Sequence, residues 1–93
     1  MTKDRRYKTV YHLISGGHVK TLIEIFDSIP KSVIAKDLGI SLDRFTKMIN
    51  DVERFGIRNL FRMARLIEVD EILILNLVYH QYLADKKGKR KKQ

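Results

Sequence analysis

Pro30 to Asn50, PKSVIAKDLGISLDRFTKMIN, is the stretch on which the fold turns. Ile34, Ala35 and Leu38 recur at helical spacing in its first half, and Phe45, Met48 and Ile49 do so in its second. Between the two runs lies Leu38-Gly39-Ile40-Ser41. Gly39 follows the last apolar residue of the first run, where a helix closes on a left-handed residue and glycine takes that shape without strain. Ser41 then precedes a second helix, where its hydroxyl can accept a free backbone N–H. The spacing predicts helices over roughly 31–38 and 42–50, joined by a tight turn, the size of a helix-turn-helix. Ala35 is small enough for the second helix to cross close over the first, with Ile34, Leu38, Ile40, Phe45 and Met48 as the core of the crossing.

Working outward, Met1 to Arg6 reads as a basic arm. Tyr7, Val10, Tyr11 and Ile14 then form one helical face, stopped at Gly16-Gly17. A further helix is expected from about His18 to Ser28, with Val19, Leu22, Ile23 and Phe26 as its inner stripe and Ile25 on a flank. Pro30 suits the start of a helix because its missing N–H is not needed there. After the motif, Asp51 to Gly56 reads as a connection. A helix over roughly 57–67 is expected to turn Ile57, Leu60, Phe61, Ala64 and Ile67 inward, with Arg58, Arg62 and Arg65 on another side. Asp70 caps a last helix running to about Lys86. On a 100° wheel Ile72, Ile74, Leu75, Val78, Tyr79, Tyr82 and Leu83 fill one half, the expected core face. Leu73 and Leu77 fall outside it as an i, i+4 pair, expected to form a homodimer seam. No strand alternation is present. The expected fold is all-α, a small bundle of five or six short helices, with one domain over 7–86 and a basic tail over 87–93.

Charge is unevenly laid out. The 93 residues carry a formal net charge of +8. Lys3, Arg5, Arg6 and Lys8 at one end, and Lys86, Lys87, Lys89, Arg90, Lys91 and Lys92 at the other, account for most of the excess. Between them the chain is close to neutral, but polar: 31–65 is net basic, whereas 66–85 holds Glu68, Asp70, Glu71 and Asp85 and no compensating base. One part of the fold suits a polyanion and the other does not. There is no cysteine, hence no disulfide framework or thiolate metal site, which fits a cytoplasmic protein. No signal peptide is visible, and the apolar run Ile72 to Leu75 is far too short to span a bilayer, so no membrane partner is expected.

The segment Ala35-Lys36-Asp37-Leu38-Gly39-Ile40-Ser41 resembles the turn of the phage-repressor helix-turn-helix family, the Cro and lambda-repressor (Xre) type, in which Ala-x-x-Leu-Gly-Ile/Val-Ser leads into the recognition helix. The resemblance covers roughly 18–80 and implies a lambda-repressor-like DNA-binding domain. It further implies a sequence-specific transcriptional regulator that binds double-stranded DNA as a homodimer, with the second helix in the major groove. By this match Leu42, Asp43, Arg44, Thr46 and Lys47 face the bases. Lys47 can donate to guanine, Asp43 can accept from cytosine N4, and Leu42 can touch a thymine methyl. Asn50, late in the helix, is expected on a phosphate, with Lys31, Ser32, Ser41, Arg54 and Arg58, which lie near helix starts or just after the recognition helix. The chain departs from the family's usual Gln, Ser, Thr or Arg at the first two helix positions, where it has Leu42 and Asp43. Asp43 equally fits a purely local role, stabilising a helix N-terminus.

No catalytic pattern emerges. His12, His18 and His80 are scattered, no serine sits in a Gly-x-Ser-x-Gly context, and no phosphate loop is present. Neither enzyme activity, a cofactor nor a metal is expected. The competing reading is a protein-interaction or antitoxin-like module with weak or non-specific nucleic-acid binding; RNA is a further polyanion that the basic tail would suit.

Overall fold

The computed structural model describes residues 4–89, with side chains as far as Lys87. The outer parts of the arm and tail, residues 1–3 and 90–93, lie outside the described residues. Five α-helices succeed one another: α1 (Arg6–Ser15), α2 (Lys31–Leu38), α3 (Leu42–Asn50), α4 (Ile57–Ile67) and α5 (Glu71–Lys89). Two short 3₁₀ segments, Leu22–Asp27 and Val52–Arg54, lie between them, and no strand occurs among the described residues. The protein is an all-α bundle.

The boundaries of α2 and α3 are those the sequence marks. Pro30 is the N-cap of α2. Gly39 closes the helix at φ 76°, ψ 27°. Its N–H donates to the Lys36 carbonyl at 3.0 Å and that of Ile40 to Ala35 at 3.0 Å, the paired bonds of a Schellman turn. Ser41 Oγ accepts from Arg44 N at 3.1 Å and caps α3. Ile34, Ala35, Leu38, Phe45, Met48 and Ile49 are all buried, and α2 packs directly on α3. Asp70 Oδ1 accepts from Ile72 N at 3.2 Å at the head of α5, as its position suggests.

The structure departs from the expected one at five points. Residues 18–21 are not helical, and Leu22–Asp27 is a 3₁₀ turn rather than an α-helix. A 3₁₀ helix repeats every three residues, so Leu22 and Ile25 turn inward, both fully buried, while Ile23 lies outside and Val19 and Phe26 are only partly covered. In α4 the buried stripe is Leu60, Met63, Ala64 and Ile67. Ile57 and Phe61 sit on its flank and are exposed. In α5 the helix is rotated from the expected setting. Ile74, Leu77 and Gln81 are buried, Leu73, Val78 and Tyr82 pack partly against the core, and Ile72, Leu75, Tyr79 and Leu83 are exposed. Leu77 is only 4% exposed, and it shares a groove with Ile14, Val19 and Leu73. The Leu73/Leu77 pair is therefore part of the chain's own packing and not a free seam. Finally, α5 extends through Gly88 to Lys89, past the expected end at Lys86.

Gln81 explains part of the rotation. Its side-chain oxygen accepts from Ile23 N at 2.9 Å, and its amide donates to Asp85 at 2.9 Å. The buried amide thus satisfies a backbone donor at the start of the 3₁₀ turn, which an apolar residue on that face would leave unpaired. Nearby, the Glu24 carboxylate accepts from the N–H groups of Lys20 at 2.6 Å and Thr21 at 3.3 Å, and these bonds hold its pKa below the usual carboxylate range.

At the other end of the bundle, Tyr7 is buried in the core and donates from its hydroxyl to Asp37 Oδ2 at 2.7 Å. This bond ties α1 to α2, the first helix of the turn motif. Burial, together with the Asp37 carboxylate, pushes the phenol pKa well above its usual range. The first residues of α1 are held by Asp4, whose carboxylate accepts from Arg6 N and Nε, both at 2.9 Å, and from Nη2 at 2.8 Å. The Arg6 guanidinium lowers the Asp4 pKa to about 2. Residues of the expected arm therefore join the start of α1.

Candidate nucleic-acid interface

α3 divides sharply into an apolar and a polar side. Its inner side carries Phe45, Met48 and Ile49 against the core. Phe45 meets Phe26 edge-on, ring centroids 5.9 Å apart. Its outer side carries Leu42, Asp43, Arg44, Lys47 and Asn50, all exposed, with Thr46 half-buried between them. The helix packs chiefly on α2 and on the 3₁₀ turn Val52–Arg54. The polar side is left displayed because the apolar positions recur every three or four residues, so packing one side projects the other outward. The five expected base-contact residues thus lie on one helix, four of them freely exposed.

The electrostatics of this side are mixed. Asp43 Oδ2 and Lys47 Nζ are 3.4 Å apart, an i, i+4 pair with both side chains mostly in solvent. Such a pair contributes little to stability. It does hold an acid beside Lys47, so any anion approaching that ammonium would compete with Asp43. Asp43 also stands in the first turn of α3, where its charge favours the helix N-terminus. Arg44 has no ion pair among the described residues and is the less encumbered cation of the two.

The expected phosphate contacts fall on four successive elements. Lys31 and Ser32 open α2, Ser41 and Asn50 bracket α3, Arg54 ends the second 3₁₀ turn, and Arg58 lies in the first turn of α4. Ser32, Ser41, Asn50, Arg54 and Arg58 are exposed. Lys31 is half-buried, with its ammonium 5.9 Å from the centre of the Phe26 ring. Arg54 lies 3.4 Å from Asp51. Ser41 Oγ spends a lone pair on the α3 cap and keeps its proton to donate. Arg65 is exposed and Arg62 half-buried, on a different side of α4 from its core stripe.

Two features are hidden in the sequence. Gln81 is the one buried polar side chain among the described residues, and its place in an apolar helix masks it. The exposed stripe of α5 is masked because α5 has more apolar residues than one side can hold. No group of His, Cys, Asp or Glu among the described residues is arranged to hold a metal ion, and no described helix is long and apolar enough to cross a membrane.

Comparison with protein-family models, with curated proteins and with solved structures gives no match.

Proposed function

We propose that this chain is a DNA-binding transcriptional regulator of the phage-repressor type, acting in the cytoplasm as a homodimer on paired half-sites, with α3 in the major groove. The observation that carries the reading is the display of α3. Arg44 and Lys47 project from a helix whose opposite side is anchored on α2 through Phe45, Met48 and Ile49. Support comes also from the concentration of basic side chains over 31–65 and at both chain ends, which favours a polyanion. In this reading Arg44, Thr46 and Lys47 do most of the base reading. Leu42 contributes a methyl contact, and Asp43 either accepts from cytosine or serves only its helix. Lys31, Ser32, Ser41, Asn50, Arg54 and Arg58 set the position on the backbone.

Leu42 and Asp43 favour a second reading, a protein-interaction module. An exposed leucine followed by an acid at the head of α3 suits a partner's groove better than a phosphate ladder. Replacing Arg44 and Lys47 together by Glu separates the two readings. Fluorescence anisotropy with a mixed-sequence duplex at low salt is expected to show binding by the native chain and at least a hundredfold loss in the double variant. Equal binding by both, or none by either, would reject the DNA reading.

A further inference from the structure

We infer that the outer side of α5 pairs with the same side of a second copy of this chain, the two helices running antiparallel. Four of the large apolar side chains that the fold leaves exposed lie on this helix: Ile72 at 52%, Leu75 at 43%, Tyr79 at 54% and Leu83 at 38%. At 100° per residue they fall within a stripe about 80° wide, and at 1.5 Å per residue it runs roughly 17 Å along the helix. The stripe lies opposite the buried side formed by Ile74, Leu77 and Gln81. A helix on the surface of a lone domain needs one apolar side; α5 has two, back to back.

The stripe is continuous with ordered side chains at its edge. The Tyr82 ring stacks 6.5 Å from that of Tyr79, and Lys86 Nζ stands 5.7 Å over the Tyr82 ring. From ordinary side-chain areas the four exposed residues present roughly 400 Å² of mostly apolar surface, within the range of the largest patch on a soluble monomer. Two copies remove roughly 800 Å², and Asn76, Tyr82 and Lys86 at the margin bring the total near the lower bound of about 1,200 Å² for a specific interface. The pair is therefore reversible and weak, not an obligate dimer.

Charge selects both the occupant and the direction. Glu71 stands exposed at the start of α5, just after Asp70 and Glu68, while Lys86 and Lys87 stand exposed at the end. Antiparallel pairing about the gap between Leu75 and Tyr79 sets Ile72 opposite Leu83. It brings the acidic start of each helix against the basic end of the other. A parallel pair would set lysine beside lysine and acid beside acid. A two-fold axis across the helices makes the two ends of the contact identical, as a self-complementary surface requires.

The inference supplies the surface for the homodimer of the proposed function, but its test uses no DNA, so its failure leaves the reading of α3 untouched. Sedimentation equilibrium of the full chain from about 5 µM to about 1 mM, at low salt, is expected to show the mass rise from 11.0 kDa toward twice that value. Tyr79→Glu is expected to weaken pairing at least tenfold with an unchanged helical circular dichroism spectrum. Lys86→Glu with Lys87→Glu is expected to weaken it about tenfold, and adding Glu71→Lys to restore it. A chain that remains at 11.0 kDa throughout overturns the pairing and leaves the stripe to a partner of another kind. So does native-strength pairing by Tyr79→Glu. Failure of the charge swap to weaken, or of the third change to restore, overturns the antiparallel direction.

Discussion

Gly39 is required by its dihedral angles and not by crowding. Its φ of 76° lies where an L side chain is strained, yet a Cβ added there would meet nothing within 4 Å. Gly39→Ala is expected to lower stability by about 1 kcal/mol, the left-handed strain less the entropy glycine costs on folding, measured by urea titration. Tyr7 acts through its proton. Its phenol pKa is raised in the folded chain, so the stability it contributes is complete below the ordinary tyrosine pKa near 10. That contribution is lost as the pH climbs above that value toward the folded-state pKa, because the phenolate both loses its donor and meets the Asp37 carboxylate. Tyr7→Phe is expected to cost about 1 kcal/mol at neutral pH and to flatten the alkaline limb of the stability curve. A curve of unchanged shape between pH 9 and pH 11 would show that another group carries that limb.

At the scale of elements, legibility tracks the ends of helices. α2 and α3 announce themselves because each terminus has its own chemistry: Pro30 and Ser41 before, Gly39 between. The stretch around Leu22–Asp27 does not, because two apolar residues in three fit a period of 3.0 as well as one of 3.6 over so short a run. In α4 two overlapping stripes compete, Ile57/Phe61/Ala64 and Leu60/Met63/Ala64/Ile67. Only neighbouring α1, α2 and α5 decide between them, and tertiary packing is not written in local spacing. α5 misleads for the opposite reason, an excess of apolar residues and a glutamine where the core lies. The exposed side of α3 is legible, since burying Phe45, Met48 and Ile49 turns Leu42, Asp43, Arg44, Lys47 and Asn50 outward. Gln81 makes the 3₁₀ turn testable. Gln81→Leu keeps the volume but orphans Ile23 N–H, and is expected to cost about 1–3 kcal/mol, with faster hydrogen exchange at Ile23 than in the native chain.

For the whole molecule, the decisive quantity is how affinity depends on salt. Among the expected phosphate contacts, Lys31, Arg54 and Arg58 carry full charge. Their counterion release alone would give a slope of about −3 in log affinity against log salt, made steeper by Arg44, Lys47 and the chain ends. Arg58→Gln is expected to reduce that slope by about 1 while weakening all DNA sequences alike. A loss confined to one sequence would move Arg58 from the backbone to the bases. The acidic residues of 66–85 are not among those proposed to meet DNA, and of these Glu71 stands exposed at the start of α5.

The central claim is that α3 reads DNA bases, and selection from a random duplex pool by the purified chain tests it most directly. Successive rounds are expected to converge on a short shared sequence, and the chain carrying both Arg44→Glu and Lys47→Glu is expected to enrich nothing. A pool that stays random with the native chain, or the same sequence enriched by both chains, would contradict it.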